Sequence, residues 1–285
     1  MYCILRLINI FISLIPRKIG LKLGRSLGFL IYVLYPFRKS IAKKNLSLAF
    51  PKLNKTEHEE IIKNCYKHYA MILIDFLRMP SLNKKNIKSI FSFDDETIKL
   101  LESINGGIVM TGHLGNWEMF IPGFGLNDFH MSIITQTQRS KGSEKFFNWI
   151  RKQKNTDLIP KKASKKIMMD VLNDNKFLGL ASDQNAGRNG INVPFFNSEV
   201  SIPKGAGYFH IKTKKPIIVG FCILTHEFKY QLSLRKIDEN IINNDQNDLI
   251  YNVNTYFSQL LEDEIKKYPE QYFWFHKKWD KKKYK

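Results

Sequence analysis

Gly106-Gly107-Ile108-Val109-Met110-Thr111-Gly112-His113-Leu114-Gly115-Asn116-Trp117-Glu118 reads as an apolar strand that ends in a glycine-bracketed histidine and then opens a helix. The same alternation recurs on either side of it. Short apolar runs at Gly107–Thr111, Met131–Thr135, Phe177–Ala181 and residues 216–224 are separated by helix-length stretches around 116–125, 143–154, 163–173 and 203–213. Strands alternating with helices predict an α/β fold with a mixed, largely parallel sheet covered by helices. Upstream, Thr56 and Glu59 form a capping-box pattern, and Ile61, Cys65, Tyr69, Leu73 and Leu77 share one helical face up to Arg78. Downstream, Ile250, Val253, Phe257, Leu260 and Ile265 mark a last amphipathic helix that stops before Tyr268-Pro269. No internal repeat or low-complexity linker interrupts this order, and the polar cluster Asn83, Lys84, Lys85 and Asn86 is the one plausible internal boundary.

The quoted stretch also carries the chemistry. In an open α/β sheet, ligands gather outside the carboxyl ends of the strands, so His113 is placed for chemistry rather than for packing. Glu118 falls in the first turn of the following helix, close enough in sequence to swing back to the imidazole. A carboxylate on one ring nitrogen would fix the tautomer and stabilise the imidazolium, leaving the other nitrogen to take a proton from a hydroxyl. The nearby helix N-terminus could supply N–H groups to a developing oxyanion. A glutamate in a first helical turn also suits the macrodipole whatever else it does, and His-x4-Glu by itself does not separate acyl transfer from hydrolysis.

Composition narrows the partners. The chain has 285 residues, with 45 Lys and Arg against 26 Asp and Glu, for a formal net charge of +19. Such an excess favours an anionic partner, although Lys-, Asn- and Ile-rich usage also follows from an AT-rich genome. Its placement is more informative. Residues 1–55 hold eleven cations and no acid, the first carboxylate being Glu57, and the uncharged apolar runs 7–16 and 26–37 lie between the basic residues. Both runs are shorter than the roughly 20 residues that a transmembrane helix needs, so residues 1–55 are expected to form an interfacial membrane anchor with snorkelling cations. A short tilted transmembrane helix over residues 2–16 is the alternative. Cys3, Cys65 and Cys222 have no ligand spacing, and Cys65 and Cys222 fall in core-like runs. His58, His68, His130, His210, His226 and His276 share no metal spacing either, so neither a metal nor a cofactor is expected.

The block Gly112-His-Leu-Gly-Asn-Trp-Glu118 resembles the active-site block of the bacterial lipid A biosynthesis acyltransferases, the lauroyl and myristoyl transferases, within the wider glycerolipid acyltransferase group with a His-x4-Asp/Glu motif. Ser182-Asp183-Gln184-Asn185 with Val193-Pro194-Phe195-Phe196 resembles that family's Asp-Gln-Asp and Val-Pro-Phe-Phe-Gly stretch. Tyr268-Pro-Glu-Gln-Tyr-Phe-Trp-Phe-His-Lys-Lys-Trp279 resembles its C-terminal signature. The resemblance implies an acyltransferase domain over residues 56–285 on the cytoplasmic side of the cell inner membrane. It implies an acyl-carrier protein as donor and a lipid A precursor as anionic acceptor; no nucleic acid is expected as a partner, because the sequence carries no RNA-binding signature. His113 would be the general base with Glu118 as its partner, and Arg151 and Asp183 would serve substrate binding. Arg151 could grip a phosphate with its planar fork, with Arg139 competing for that role and a solvated helix face as the bland reading.

Departures lie at Asn185, Asn197, Lys277, Lys278 and the segment Gln136–Arg139, and they bear on the identity of the acceptor. A glycerophospholipid or a phosphatidylinositol mannoside is an alternative acceptor, and a non-enzymatic basic protein binding membrane or RNA is the alternative function. Gly187-Arg188-Asn189-Gly190 reads as a turn. Tyr272, Trp274 and Trp279 with Lys281, Lys282, Lys283 and Lys285 form an aromatic and basic tail, whose last residues could touch headgroups.

Overall fold

The computed structural model describes residues 1–243 and 248–284, so Lys285 of the basic tail lies outside the described residues. The chain opens with four helices: α1 (Tyr2–Leu14), α2 (Arg17–Leu34), α3 (Lys39–Ala49) and α4 (Lys55–Arg78). Pro16 separates α1 from α2, because a proline holds the residue before it extended, and Ile15 has ψ 135°. The capping box of α4 is Asn54 with Glu57 rather than Thr56 with Glu59. Asn54 Oδ1 accepts from the N–H groups of Thr56 and Glu57, and Glu57 accepts from Asn54 N at 2.7 Å. Glu59 instead accepts from Tyr32 Oη at 2.7 Å and pairs with Lys39 at 3.0 Å.

The expected apolar face of α4 is also only partly right. Leu73 is 52% exposed, whereas Ile62, Cys65, Tyr66, Ile72, Ile74 and Phe76 are buried. α4 is enclosed from more than one side, so burial spreads beyond a single stripe. α2 lies along it through Gly20, Gly24 and Gly28, and a Cβ at Gly28 would sit 2.3 Å from the Tyr66 carbonyl oxygen. α3 contributes Ala42, Leu46 and Ala49 to the main core.

The α/β part follows as β1 (Phe91–Phe93), α5 (Asp95–Ser103), β2 (Gly107–Thr111), α6 (Phe120–Gly125), β3 (Met131–Thr135), α7 (Lys141–Arg151), β4 (Thr156–Pro160), α8 (Lys165–Asn173) and β5 (Phe177–Ala181). A hairpin of β6 (Ile191–Phe195) and β7 (Ser198–Ile202) leads to α9 (Gly205–Thr213), β8 (Ile217–Leu224), β9 (Tyr230–Lys236), α10 (Glu239–Asn243) and α11 (Leu249–Lys267). Among the described residues the main sheet runs β1-β9-β8-β2-β5-β3-β4. Its pairings are parallel except β8 with β9. The fold is therefore α/β with a largely parallel sheet, and the four apolar runs form β2, β3, β5 and, starting at Ile217, β8. Their neighbours were not legible as apolar runs. In β9 only alternate residues, Tyr230, Leu232 and Leu234, are buried. β4 lies at the sheet edge and carries Asp157, 2.7 Å from His130 Nε2.

Among the described residues no helix is long and apolar enough to cross a membrane. α1 has 13 residues, which at ~1.5 Å per residue span about 20 Å against the ~30 Å of a hydrocarbon core. α1 and α2 instead expose an apolar face that includes Leu7, Phe11, Leu14, Leu23, Leu27 and Leu30. Their polar residues tie them to the body. Arg6 stacks 3.5 Å over the Trp149 ring of α7, and Arg17 makes a two-pronged bond to Asp75 of α4 at 2.8 and 2.6 Å, with Tyr230 Oη donating to the same carboxylate at 2.8 Å. Arg78 donates to the Ile15 carbonyl at 2.6 Å and so caps the end of α1.

Candidate active site

The parallel register of β2 and β5 pairs Thr111 with Ala181. Residues placed equally far beyond those two strand ends therefore come side by side, and they are His113 and Asp183. Ser182 N donates to Thr111 O at 2.8 Å, and the space above Gly112 is taken by Leu261 and Asp183, whose Cδ1 and Cβ lie 3.0 and 3.4 Å from an added Cβ there. The outcome is a 2.7 Å contact between His113 Nδ1 and Asp183 Oδ1.

The imidazole's carboxylate is thus Asp183, and the expected pairing of His113 with Glu118 is corrected. Gly115 takes φ +64° and sits so close to β8 that a Cβ on it would lie 2.0 Å from Cys222 O, a turn that only glycine accommodates. Gly115 N donates to Gln271 O at 2.9 Å and Asn116 N to Cys222 O at 2.7 Å. The loop so pinned carries Glu118, in a 3₁₀ turn over Trp117–Met119, toward α7. There Arg151 donates to it twice, Nε to Oε2 at 2.9 Å and Nη2 to Oε1 at 2.5 Å. Both side chains are largely buried, with exposures of 12% and 15%. Arg151 is therefore engaged by a carboxylate rather than free to grip a phosphate, while Arg139 is exposed on the loop ahead of α7. Ahead of the Trp117–Met119 turn, the N–H groups of Gly115 and Asn116 are engaged by Gln271 O and Cys222 O.

The rest of the site comes from a C-terminal strap, residues 268–279, that crosses both strand ends. Phe273 N donates to His113 O at 2.9 Å, and Tyr69 Oη of α4 donates to Gln271 O at 2.7 Å and lies 3.2 Å from His113 O. Tyr272 Oη donates to Asp183 Oδ2 at 3.2 Å, and the buried ammonium of Lys278 donates to the Asp183 carbonyl. Asn185 Nδ2 returns the grip by donating to the carbonyls of Lys278 and Trp279 at 3.1 and 2.9 Å. Trp117 stands edge-on to the imidazole at 4.6 Å between ring centres, and Phe273 lies 6.3 Å away. Gln184 places its amide nitrogen 3.1 Å from His113 Nε2.

Electrostatics follow from this geometry. Burial disfavours the imidazolium, but the Asp183 carboxylate outweighs it and, helped by the charge of Glu118, raises the His113 pKa; Lys278 opposes. Burial likewise works against the Asp183 anion, yet His113 and Lys278 hold it well below the usual carboxylate range. Burial brings Lys278 down to about 8, partly offset by Asp183. Among the described residues no group of three or more His, Cys, Asp or Glu could hold a metal ion.

His113 and Asp183 were both singled out from sequence, but for different tasks. Gln184, Tyr272 and Lys278 belonged to recognised blocks without being given a role. Tyr69, on a helix that looked purely structural, carried no signal.

The bacterial lipid A biosynthesis acyltransferase family matches residues 3–281. The chain is 23% identical over 273 residues to a lipid A biosynthesis palmitoleoyltransferase of Escherichia coli (strain K12), and equally to a lipid A biosynthesis acyltransferase of Shigella flexneri. Each alignment covers 93% of this chain and 86% of the relative. Among solved structures it is similar to the 1-acyl-sn-glycerophosphate acyltransferase PlsC from Thermotoga maritima, with a TM-score of 0.39 and 11% identity, covering 89% of this chain and 98% of that one.

Proposed function

The chain belongs to the bacterial lipid A biosynthesis acyltransferase family, and from that premise we propose that it moves a fatty acyl chain from an acyl-carrier-protein thioester to a hydroxyl of a lipid A precursor, at the cytoplasmic face of the inner membrane. The observation that carries the mechanism is the 2.7 Å contact between His113 Nδ1 and Asp183 Oδ1, which turns the other ring nitrogen, Nε2, away from the carboxylate and toward the Gln184 amide, where a substrate hydroxyl would meet it. With Nδ1–H held on the carboxylate, Nε2 takes the proton of the acceptor hydroxyl as its oxygen attacks the thioester carbonyl. Asp183 stabilises the imidazolium that forms and stays ionised itself. The thioester is already activated, so a covalent acyl-enzyme is not required. Glu118 and Arg151 neutralise one another in the wall of the site, and Glu118 adds to the field favouring the imidazolium.

The exposed apolar face of α1 and α2, flanked by Lys18, Lys22 and Arg25, supports an interfacial attachment to an anionic bilayer, through which a lipid acceptor would be reached. The mechanism is tested with purified protein, acyl-carrier-protein thioester and a lipid A precursor. His113→Ala is expected to lose roughly 10²-fold or more in rate, the usual size of general-base effects. Near-wild-type turnover of that variant, or an acyl adduct on the protein during turnover, would overturn it.

A further inference from the structure

The nitrogen that must receive the proton is already occupied. Nδ1 of His113 faces a carboxylate, so the neutral ring carries its proton there and presents a lone pair at Nε2. Gln184 lies 3.1 Å from that lone pair and must offer it an amide N–H. This is the one hydrogen bond of the Gln184 side chain among the described residues, whereas its neighbours Asp183 and Asn185 are each held by the C-terminal strap. Gln184 is half-buried.

An acceptor hydroxyl that gives its proton to Nε2 must displace this N–H, and a displaced donor in a confined site needs another acceptor. The group that gains negative charge at that moment is the thioester carbonyl oxygen, one bond from the carbon under attack. Two of the backbone donors on the loop after His113, Gly115 N and Asn116 N, are spent on Gln271 O and Cys222 O.

We propose, building on the acyl-transfer reading above, that Gln184 is a catalytic residue whose amide rests on His113 Nε2 and turns onto the thioester carbonyl oxygen when the acceptor hydroxyl takes its place. The hydroxyl oxygen bonds to the carbonyl carbon while its proton passes to Nε2. The carbonyl π pair moves onto oxygen, where Gln184 holds it. Return of that pair breaks the C–S bond, and the leaving thiolate takes the proton from the imidazolium, giving an ester, a thiol and a neutral ring.

The test uses the full-length enzyme with Gln184→Ala and the near-isosteric Gln184→Glu, assayed for transfer and followed by NMR titration of His113. Around the imidazole stand Asp183, Glu118, His276 and Lys278, with Tyr69 and Tyr272 on the backbone and the dyad; all are left unchanged. Loss of one oxyanion donor is expected to lower kcat about 10²- to 10³-fold with little change in either KM. Removing the N–H that favours the neutral ring should also move the His113 titration upward, and further upward in Gln184→Glu, where a carboxylate faces Nε2. Wild-type kcat in Gln184→Ala, or an unmoved His113 titration, would overturn the proposal. A wild-type enzyme that transfers no acyl group from the thioester would sink the reaction reading instead, while the titration still tests the Gln184 contact.

Discussion

Asp183 Oδ1 lies 2.7 Å from His113 Nδ1 although the two residues are 70 positions apart, because the parallel register of β2 and β5 carries both strand ends to one place. Asp183→Asn keeps the shape and removes the charge, and it permits the wrong tautomer. The rate should fall by roughly 10²-fold or more. Since Asp183 raises the His113 pKa and only neutral His113 accepts a proton, the acid limb of kcat/KM in the wild type should lie above ~6.5. In Asp183→Asn that limb should move down, because burial is then opposed only by the weaker influence of Glu118. The raised His113 value also means that this contact stabilises the fold fully below ~6.5 and ceases to as pH rises through the folded value. A pH–rate profile that does not move would show that Asp183 does not set this titration.

The Glu118–Arg151 pair predicts a stability effect rather than a binding effect. Removing either partner leaves a largely buried charge alone, at about 2–3 kcal/mol, somewhat less than breaking a fully buried pair costs, since each retains some exposure. Replacing both, as Glu118→Leu with Arg151→Met, should be less damaging than the sum of the single changes. Urea unfolding of the four proteins measures this. Strict additivity would mean that the two do not act as a pair.

Gly115→Ala should damage the site more than its size suggests. The residue needs φ +64° and has the Cys222 carbonyl 2.0 Å from an added Cβ, so the loop between His113 and Glu118 must shift off β8. A loss of about 1–3 kcal/mol is expected from the strain, with a fall in kcat as His113 moves. A variant with unchanged melting temperature and turnover would contradict this account of the loop.

Membrane attachment is best tested on the exposed face, because deleting residues 1–37 would also strip α4 of the helix packed on it. Replacing Leu7, Phe11, Leu23 and Leu30 together by Gln should lower partitioning to vesicles of phosphatidylethanolamine and phosphatidylglycerol at least about tenfold, each buried leucine contributing roughly 1–2 kcal/mol. Added salt should weaken what binding remains, as the flanking cations are screened. Equal flotation of the variant and the wild type would locate the attachment elsewhere.

What the sequence by itself determined was the set of strands that depend on short-range apolar pattern, whereas the cap of α4 fell to Asn54 and Glu57 rather than to Thr56 and Glu59. β2, β3, β5 and β8 are continuous apolar runs, and a strand followed by Gly-His-Leu-Gly puts a histidine at a strand mouth whatever surrounds it. The cations and apolar runs of residues 1–55 likewise marked an unusual N-terminus. Period alone was insufficient where an element is half-exposed or lies at an edge, as with β9 and β4, or is enclosed on several sides, as with α4. The partner of His113 was a tertiary decision. Glu118 is five residues away and looked close, but the Gly115 turn, fixed by Cys222 and Gln271, delivers it to Arg151. Asp183 is distant in sequence, and only the strand order that seats β5 beside β2 brings it to the imidazole. Spacing along the chain measures reach for a flexible segment. Once a backbone is pinned by hydrogen bonds, the register of the sheet decides which carboxylate meets which base.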